Sequence, residues 1–566
     1  MKDRCFLGLA LWAVVGCVAD QEDASTDTQA QGVDTGAAGT QDTSTDDTAS
    51  RDTADPDTDS GTPDTGHEGS IWTSGSLAEA AWESGRRVGA AISSSAISSD
   101  EAYKETFLSQ FSAWTPENAA KWGWIQGADE NTWNFGDADA IETVAGEVGM
   151  QMKGHALLWH YSVPAWVGDS PSATDLSGWV AAHIEKTGEH YAGIATDWDV
   201  VNEALEDHGG VGPLGLRESM FLTTLGESYI ADAFHLARSA DPNARLFYND
   251  YSLIWGGDKT NRALSLLSGL VEDGVPVDGV GLQCHLTASS APDLDSVRAV
   301  LQGFADLGLI VHISELDVQI RDLAGPDEER LFAQALVFHR MANACAAQPA
   351  CDLLTLWGFT DKYSWIDSWY GEDDPLVFDE EMTPKHAFTG LIQGFRGEVL
   401  DGCETERLGN TDFEKGADGW SAWGGSLSLD ADAARTGGQG VRVSERTDTW
   451  AGPTRDIRDE LGEAVPYRVS AWIRLDGVAS DDVKISVKIN DDSGVRYENL
   501  ATGTARESSW TEVSGAFTFS SISGTPSELT LYVEGPAAGV DLLVDDVSVV
   551  PVCETPAPVV DAAAPG

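Results

Sequence analysis

Between residues 76 and 396, short apolar runs alternate with longer amphipathic ones. The short runs lie at 88–93, 112–117, 152–159, 198–203, 246–250, 279–285, 310–318 and 353–359 and read as buried strands. Between them, stretches such as 221–239, 261–273 and 328–344 repeat apolar side chains at helical spacing. Eight strands interleaved with helices predict an α/β fold, a (β/α)8 TIM barrel. Beyond residue 403 the period changes. Runs at 467–475, 483–490, 511–519, 528–534 and 540–549 alternate apolar with polar residues between Gly-, Asp-, Ser- and Pro-rich turns. That is the pattern of an all-β sandwich (jelly-roll) module.

The ends of the chain follow neither pattern. Lys2 and Arg4 precede an apolar run at 6–15 that is too short to span a bilayer, so 1–17 reads as a signal peptide. Val14-Val15-Gly16-Cys17 resembles the lipobox of bacterial lipoproteins, in which the cysteine is lipidated and becomes the new N-terminus. The alternative is plain secretion after a small residue. Residues 18–75 are Asp, Thr, Ser, Gly and Ala with almost no large apolar side chain, a disordered acidic tether reaching roughly 40 Å. The expected domains are then the barrel at 76–397, the sandwich at 404–553 and a disordered tail at 554–566.

Composition narrows the function. A net charge of −59 repels nucleic acid phosphates and anionic membranes, leaving a neutral polymer as the fitting partner. The 20 Trp suit stacking on flat, partly apolar ligands. With Cys5 and Cys17 in the signal region, Cys345 and Cys351 are close enough to bridge in an oxidising compartment. Cys403 and Cys553 flank the module and are placed to tie its ends. Cys284, in an apolar strand, reads as a buried thiol.

Polar residues cluster at the C-terminal ends of the expected strands, where such barrels build their active sites. Two strands end on acids: Val200-Val201-Asn202-Glu203 and Ile313-Ser314-Glu315. Glycosidic cleavage asks for such a pair, one carboxyl to protonate the leaving oxygen and one at the anomeric carbon. When the second attacks directly, the two stand about 5–5.5 Å apart and configuration is retained. Asn202 is placed to bond a neighbouring sugar hydroxyl and His285 to orient Glu315. His183, His190 and His235 show no metal-ligand spacing, and no catalytic metal is expected.

These motifs resemble those of glycoside hydrolase family 10, the retaining endo-β-1,4-xylanases. Trp198-Asp199-Val200-Val201-Asn202-Glu203-Ala204 is similar to the acid/base motif and His312-Ile313-Ser314-Glu315-Leu316-Asp317 to the nucleophile motif. Thr115-Pro116-Glu117-Asn118-Ala119-Ala120-Lys121-Trp122, Gly154-His155-Ala156-Leu157-Leu158-Trp159-His160, Tyr248-Asn249-Asp250-Tyr251, Gly281-Leu282-Gln283-Cys284-His285 and Trp357 to Trp365 extend the resemblance through the barrel. It implies Glu203 as acid/base and Glu315 as nucleophile. Glu117, Asn118, Lys121, His155, Trp159, Asn202, Gln283, His285, Trp357 and Trp365 would hold xylan or xylo-oligosaccharides. Ala120, Cys284 and His386 depart from the usual pattern without touching the chemistry.

In the module, Asn410-Thr411-Asp412-Phe413-Glu414, Gly419-Trp420, Arg446 to Pro453, Ser470 to Leu475 and Val544-Asp545-Asp546-Val547 resemble carbohydrate-binding modules of the family 4/9/22 group. The Arg-Thr-x-x-Trp-x-Gly-Pro run leans toward the xylan-binding type. The resemblance implies a groove of Trp450, Tyr497, Tyr532 and Glu534 and a structural calcium at Glu414 and Asp546. A monomeric xylanase, secreted or held at the cell surface by a lipid on Cys17, is the expectation. Alternatives are a retaining β-1,4-glucanase on the same barrel, or a non-catalytic surface glycan-binding protein, which would lack one of the two acids.

Overall fold

The computed structural model describes residues 74–519 and 522–559; the signal segment 1–17, the tether through 73 and residues 560–566 lie outside the described residues. Ser76 caps the first helix, Leu77–Glu83, its hydroxyl accepting the Glu79 amide at 3.1 Å. Eight parallel strands follow: β1 Arg87–Ile92, β2 Ala113–Pro116, β3 Gln151–Gly154 and β4 Ala195–Asn202, then β5 Arg245–Asp250, β6 Gly279–Leu282, β7 Ile310–Gln319 and β8 Cys351–Leu356. Each pairs with the next, and β8 pairs with both β7 and β1, so the sheet closes.

Two strands end earlier than the apolar runs predict. β3 stops at Gly154 and pairing resumes at Leu158–Trp159; β6 stops at Leu282 and resumes at His285–Thr287. The apolar pattern runs on because Ala156, Leu157 and Cys284 stay buried beneath the turns. Those turns aim His155 and Gln283 into the mouth.

The floor of the barrel is a knot of charge. Arg87, Asp197, Arg245, His312 and Asp352 sit near the strands' N-terminal ends. Arg87 meets Asp197 at 3.0 Å and Asp352 at 3.1 Å, Arg245 meets them at 2.5 and 2.6 Å, and His312 meets Asp352 at 2.7 Å. Burial alone would keep Asp197 protonated, but Arg87, His312 and Arg245 hold it near 2. Charge at the floor stays fully paired.

The module folds as two five-stranded antiparallel sheets. One contains β9 Trp420–Trp423, β12 Gly452–Asp456, β14 Ser480–Asp491, β15 Gly494–Arg506 and β17 Glu528–Glu534. The other contains β10 Ser426–Asp430, β11 Gly440–Ser444, β13 Pro466–Asp476, β16 Thr511–Thr518 and β18 Asp541–Pro551. Cys403 is bonded to Cys553 and Cys345 to Cys351, while Cys284 is a buried free thiol.

The module is fastened to the barrel through helix Asp327–Ala347 and the loop before it. Glu329, buried, accepts the Tyr467 hydroxyl at 2.6 Å and pairs with Arg407 at 2.6 Å. The Glu463 amide donates to the Ala324 carbonyl at 2.9 Å, and the Glu463 carboxylate accepts the Ala324 amide at 3.2 Å. The disordered tail expected from 554 needs correcting over its first residues. Glu554 pairs with Arg340 at 2.7 Å, and Asn343 exchanges two hydrogen bonds with the Ala557 backbone, at 2.8 and 3.2 Å. The helix supplies polar groups that would otherwise be buried alone, and the tail satisfies them.

Glu329→Ala removes the acceptor of the buried Tyr467 hydroxyl proton and the carboxylate partner of Arg407 and should cost about 3 kcal/mol. Calorimetric unfolding of the variant should show this loss; a change under about 1 kcal/mol would reduce the contact to a surface pairing.

Candidate active site

Glu203 is the first residue past β4, and its backbone is left-handed, φ 57°. Left-handed backbone at a non-glycine residue is unfavourable and must be held. Its N–H donates to the Asn249 carbonyl at 2.8 Å, and its own carbonyl accepts Arg217 Nε at 2.9 Å. Glu315 lies within β7 and is 4% exposed. Both therefore open on the same mouth.

Amides join them. Asn249 Nδ2 donates to Glu315 Oε1 at 2.6 Å and to Asn202 Oδ1 at 2.8 Å. Gln283 Nε2 donates to Asn202 Oδ1 at 3.3 Å and Glu203 Oε1 at 3.1 Å, and Asn202 Nδ2 donates to Glu203 Oε1 at 3.2 Å. Ser314 fixes the flip of Asn249 by donating to its Oδ1 at 2.6 Å. Room for that amide comes from Gly281, where a Cβ would lie 2.1 Å from Asn249 Oδ1.

Around Glu315 the partners are two imidazoles held by further acids. His285 Nε2 lies 3.3 Å from Glu315 Oε2, and its Nδ1 is 2.8 Å from Asp317 Oδ2. Trp365 Nε1 donates to the same Asp317 oxygen at 2.9 Å. His155 Nδ1 lies 3.9 Å from Glu315 and 2.9 Å from Asp199, which also pairs with buried Lys153. Burial opposes ionisation of Glu315, but His155 and His285 outweigh it and hold its pKa below the ordinary range. Burial likewise opposes the His285 cation, yet Asp317 and Glu315 push it up to about 10.

Glu117, Asn118 and Lys121 form one corner: Asn118 Nδ2 donates to Glu117 at 3.2 Å and Lys121 Nζ to Asn118 Oδ1 at 2.8 Å. Lys121 lies 4.7 Å from the Trp159 ring centre and 5.7 Å from that of Trp357. Burial lowers its pKa, against Glu315, Glu117 and Glu203. Trp357 stands edge-on to His155 at 4.9 Å and Trp365 to His285 at 4.9 Å. All the barrel residues singled out in the sequence thus gather at one end. Asn249, Asp317 and Asp199 were not among the candidates. Asp317 was legible: two residues beyond Glu315 on a strand, it shares its face.

Trp450 is 46% and Tyr497 62% exposed, but Tyr532 is 4% exposed, covered by Trp423 with ring centres 5.1 Å apart. Glu534, on the same face as Tyr532, accepts Ser486 Oγ at 2.8 Å. Trp423 was missed; three residues after Trp420 on one strand, it faces outward while Trp420 enters the core. Arg446 explains the motif before Trp450, since its buried guanidinium donates to the carbonyls of Ala451 at 2.8 Å, Val540 at 2.8 Å and Pro536 at 3.0 Å. Glu414 accepts the amides of Gly438 at 2.8 Å and Gln439 at 3.0 Å, and Asp546 pairs with Arg435 at 2.6 Å. The two carboxylates brace one loop, and among the described residues no three His, Cys, Asp or Glu gather as a metal site.

Residues 76–394 match the family described as glycosyl hydrolase family 10, and 406–539 match a carbohydrate binding domain. Endo-1,4-beta-xylanase A of Humicola insolens is 35% identical over 292 residues, 51% of this chain and 76% of its own. Endo-1,4-beta-xylanase B of Thermotoga neapolitana is 36% identical over 293 residues, 51% and 82% of the two chains. The crystal structure of native xylanase 10B from Thermotoga maritima superposes with a TM-score of 0.54 at 36% identity, covering 57% of this chain and 98% of that one. Xylanase 10B from Thermotoga petrophila RKU-1, solved with xylobiose, gives 0.54 at 35% identity, covering 58% and 99%.

The His285 imidazole should titrate near pH 10 in an NMR experiment. Its folded value lies above the ordinary 6.5 or so, so its ion pairs stabilise fully below that pH. That contribution is lost as pH rises through about 10. Titration near the ordinary value would contradict the His285–Asp317–Glu315 arrangement.

Proposed function

Because the chain belongs to glycosyl hydrolase family 10, we propose that it hydrolyses internal β-1,4-xylosidic bonds of xylan with retention of anomeric configuration. The observation that carries this is the pairing of two mouth carboxyls in opposite surroundings. Glu315 sits against the His285 cation and an amide donor and is kept ionised, as a nucleophile must be. Glu203 is met by the neutral amides of Asn202 and Gln283.

Glu315 attacks the anomeric carbon as Glu203 passes its proton to the departing oxygen. A glycosyl-enzyme ester forms, and the shortened chain leaves. Glu203, now a carboxylate, takes a proton from water, whose oxygen attacks the same carbon and frees Glu315. Asn202 lies where it can bond the hydroxyl beside the reacting carbon. Glu117, Asn118, Lys121, Trp159 and Trp357 wall one side of the bond, and Gln283, His285 and Trp365 support the reacting centre.

The sandwich is proposed to retain polysaccharide, raising its local concentration, with Trp450, Trp423 and Tyr497 as stacking surfaces. A structural calcium at Glu414 and Asp546 would require the loop amides and Arg435 to release the two carboxylates. Export is supported by the two disulfides, which suit an oxidising compartment, and the lipid on Cys17 rests on the Val14-Val15-Gly16-Cys17 run.

Glu315→Gln should lower kcat on xylan by at least about 10⁴-fold while binding persists. NMR of early products should show the β-anomer; an initial α-anomer would refute double displacement. Initial rates on xylan should exceed those on cellulose; the reverse would favour a glucanase. Trp450→Ala should move faster than wild type in a xylan affinity gel, and equal mobility would place the module's contact elsewhere.

A further inference from the structure

Against the chain's net charge of −59, three arginines gather beside the catalytic mouth. Arg321, Arg330 and Arg458 line a cavity of about 410 Å³ between the loop that follows β7 and the sandwich, where Asp459 is the single lining acid. Two of the three are committed. Arg458 pairs with Asp456 at 2.6 Å and Arg330 with Asp327 at 2.8 Å, though Arg330 Nε is buried without a hydrogen-bond partner. Arg321 is loosely engaged: its ion-pair contact is Asp322 at 3.8 Å, itself 88% exposed, Asp373 accepts its backbone amide at 3.0 Å and acts on its charge from further off, and its NH1 donates to the Gly371 carbonyl at 3.3 Å.

Aromatic rings connect this place to the active site. Trp365, hydrogen-bonded to Asp317, begins helix Trp365–Tyr370. Its ring centre lies 6.3 Å from that of Trp369 and 5.8 Å from that of Tyr370. The Arg321 guanidinium stands 5.6 Å from the Tyr370 ring. Trp369 and Tyr370 are 74% and 56% exposed, unusually open for rings of that size. Rings so placed offer a flat apolar surface to a pyranose. Beyond them lies a planar fork that matches a carboxylate.

A neutral xylose backbone has no use for an arginine. An acidic side group does, since the rest of this surface repels it. We propose that Trp369, Tyr370 and Arg321 extend the cleft into a subsite for a uronic acid borne by the polysaccharide, its carboxylate taken by Arg321 at the rim of the arginine-lined cavity. The assignment rests on the xylanase reading and names the decoration that reading leaves open.

Binding measured on the non-hydrolysing Glu315→Gln protein separates the two. Two oligosaccharides are titrated by calorimetry: a xylo-oligosaccharide with one glucuronosyl side group, and a neutral one of equal backbone length. Arg321→Gln in that background should lower the acidic-to-neutral affinity ratio about tenfold, with partial recovery in Arg321→Lys. The ratio of the Glu315→Gln protein with Arg321 intact should also fall with added NaCl. Tyr370→Ala should weaken the acidic ligand without touching the charge. A ratio unmoved by Arg321→Gln, in protein with an unaltered melting temperature, overturns the subsite. Failure of the unmodified enzyme to cleave either sugar overturns the xylanase reading instead, because the binding ratio needs no turnover.

Discussion

A carboxylate almost wholly removed from water, that of Glu315, must nonetheless stay charged, and the barrel mouth is organised around meeting that demand. An isolated buried carboxylate would be protonated rather than tolerated. Here His285 and the Asn249 amide touch it directly, and His155 stands a little further off. Each imidazole brings its own need for a partner. Asp317 answers His285, Asp199 answers His155, and Lys153 answers Asp199. Charges of alternating sign thus descend from the mouth toward the ion-paired floor.

That arrangement explains why two acids at one mouth can take different parts. The imidazoles stand on the β6 side and, through β3, beneath Glu315. On the β4 side the Glu203 carboxyl meets the amides of Asn202 and Gln283 and has a carboxyl neighbour, Asp250, while Arg217 holds its own backbone carbonyl. Burial pushes Asp250 up to about 6 against the pull of Lys259, with Glu203 adding to the rise. The difference between the two acids is written in their neighbours, not in their residue type.

Much of this was legible beforehand. The eight strands stand out because both faces are buried and the runs are apolar throughout, as in β4. The same property blurred their ends: apolar residues continue past Gly154 and Leu282 because the turns are buried too. The motif residues at the strand ends were readable, while supports such as Asn249 and Asp317 needed the face-sharing of alternate residues to be weighed. What no local pattern carries is long-range partnership. Nothing around Glu329 announces Tyr467 or Arg407, and nothing around Glu554 announces Arg340. Those pairs join a helix to a distant strand or irregular segment, so neither hydrophobic spacing nor propensity contains them. Trp423, lost among 20 tryptophans, was hidden by number rather than by distance.

The Glu329 junction has a bearing on how the enzyme would work at a solid surface. Tyr467, Arg407 and the paired backbones of Ala324 and Glu463 leave the sandwich little freedom to swivel against the barrel. The offset between its outward sheet and the cleft is then a fixed property of the molecule. An enzyme built this way behaves less like a boat on an anchor chain than like a gauge with two jaws. On immobilised substrate, the interval between the retained stretch and the cut one would bear the imprint of that gauge.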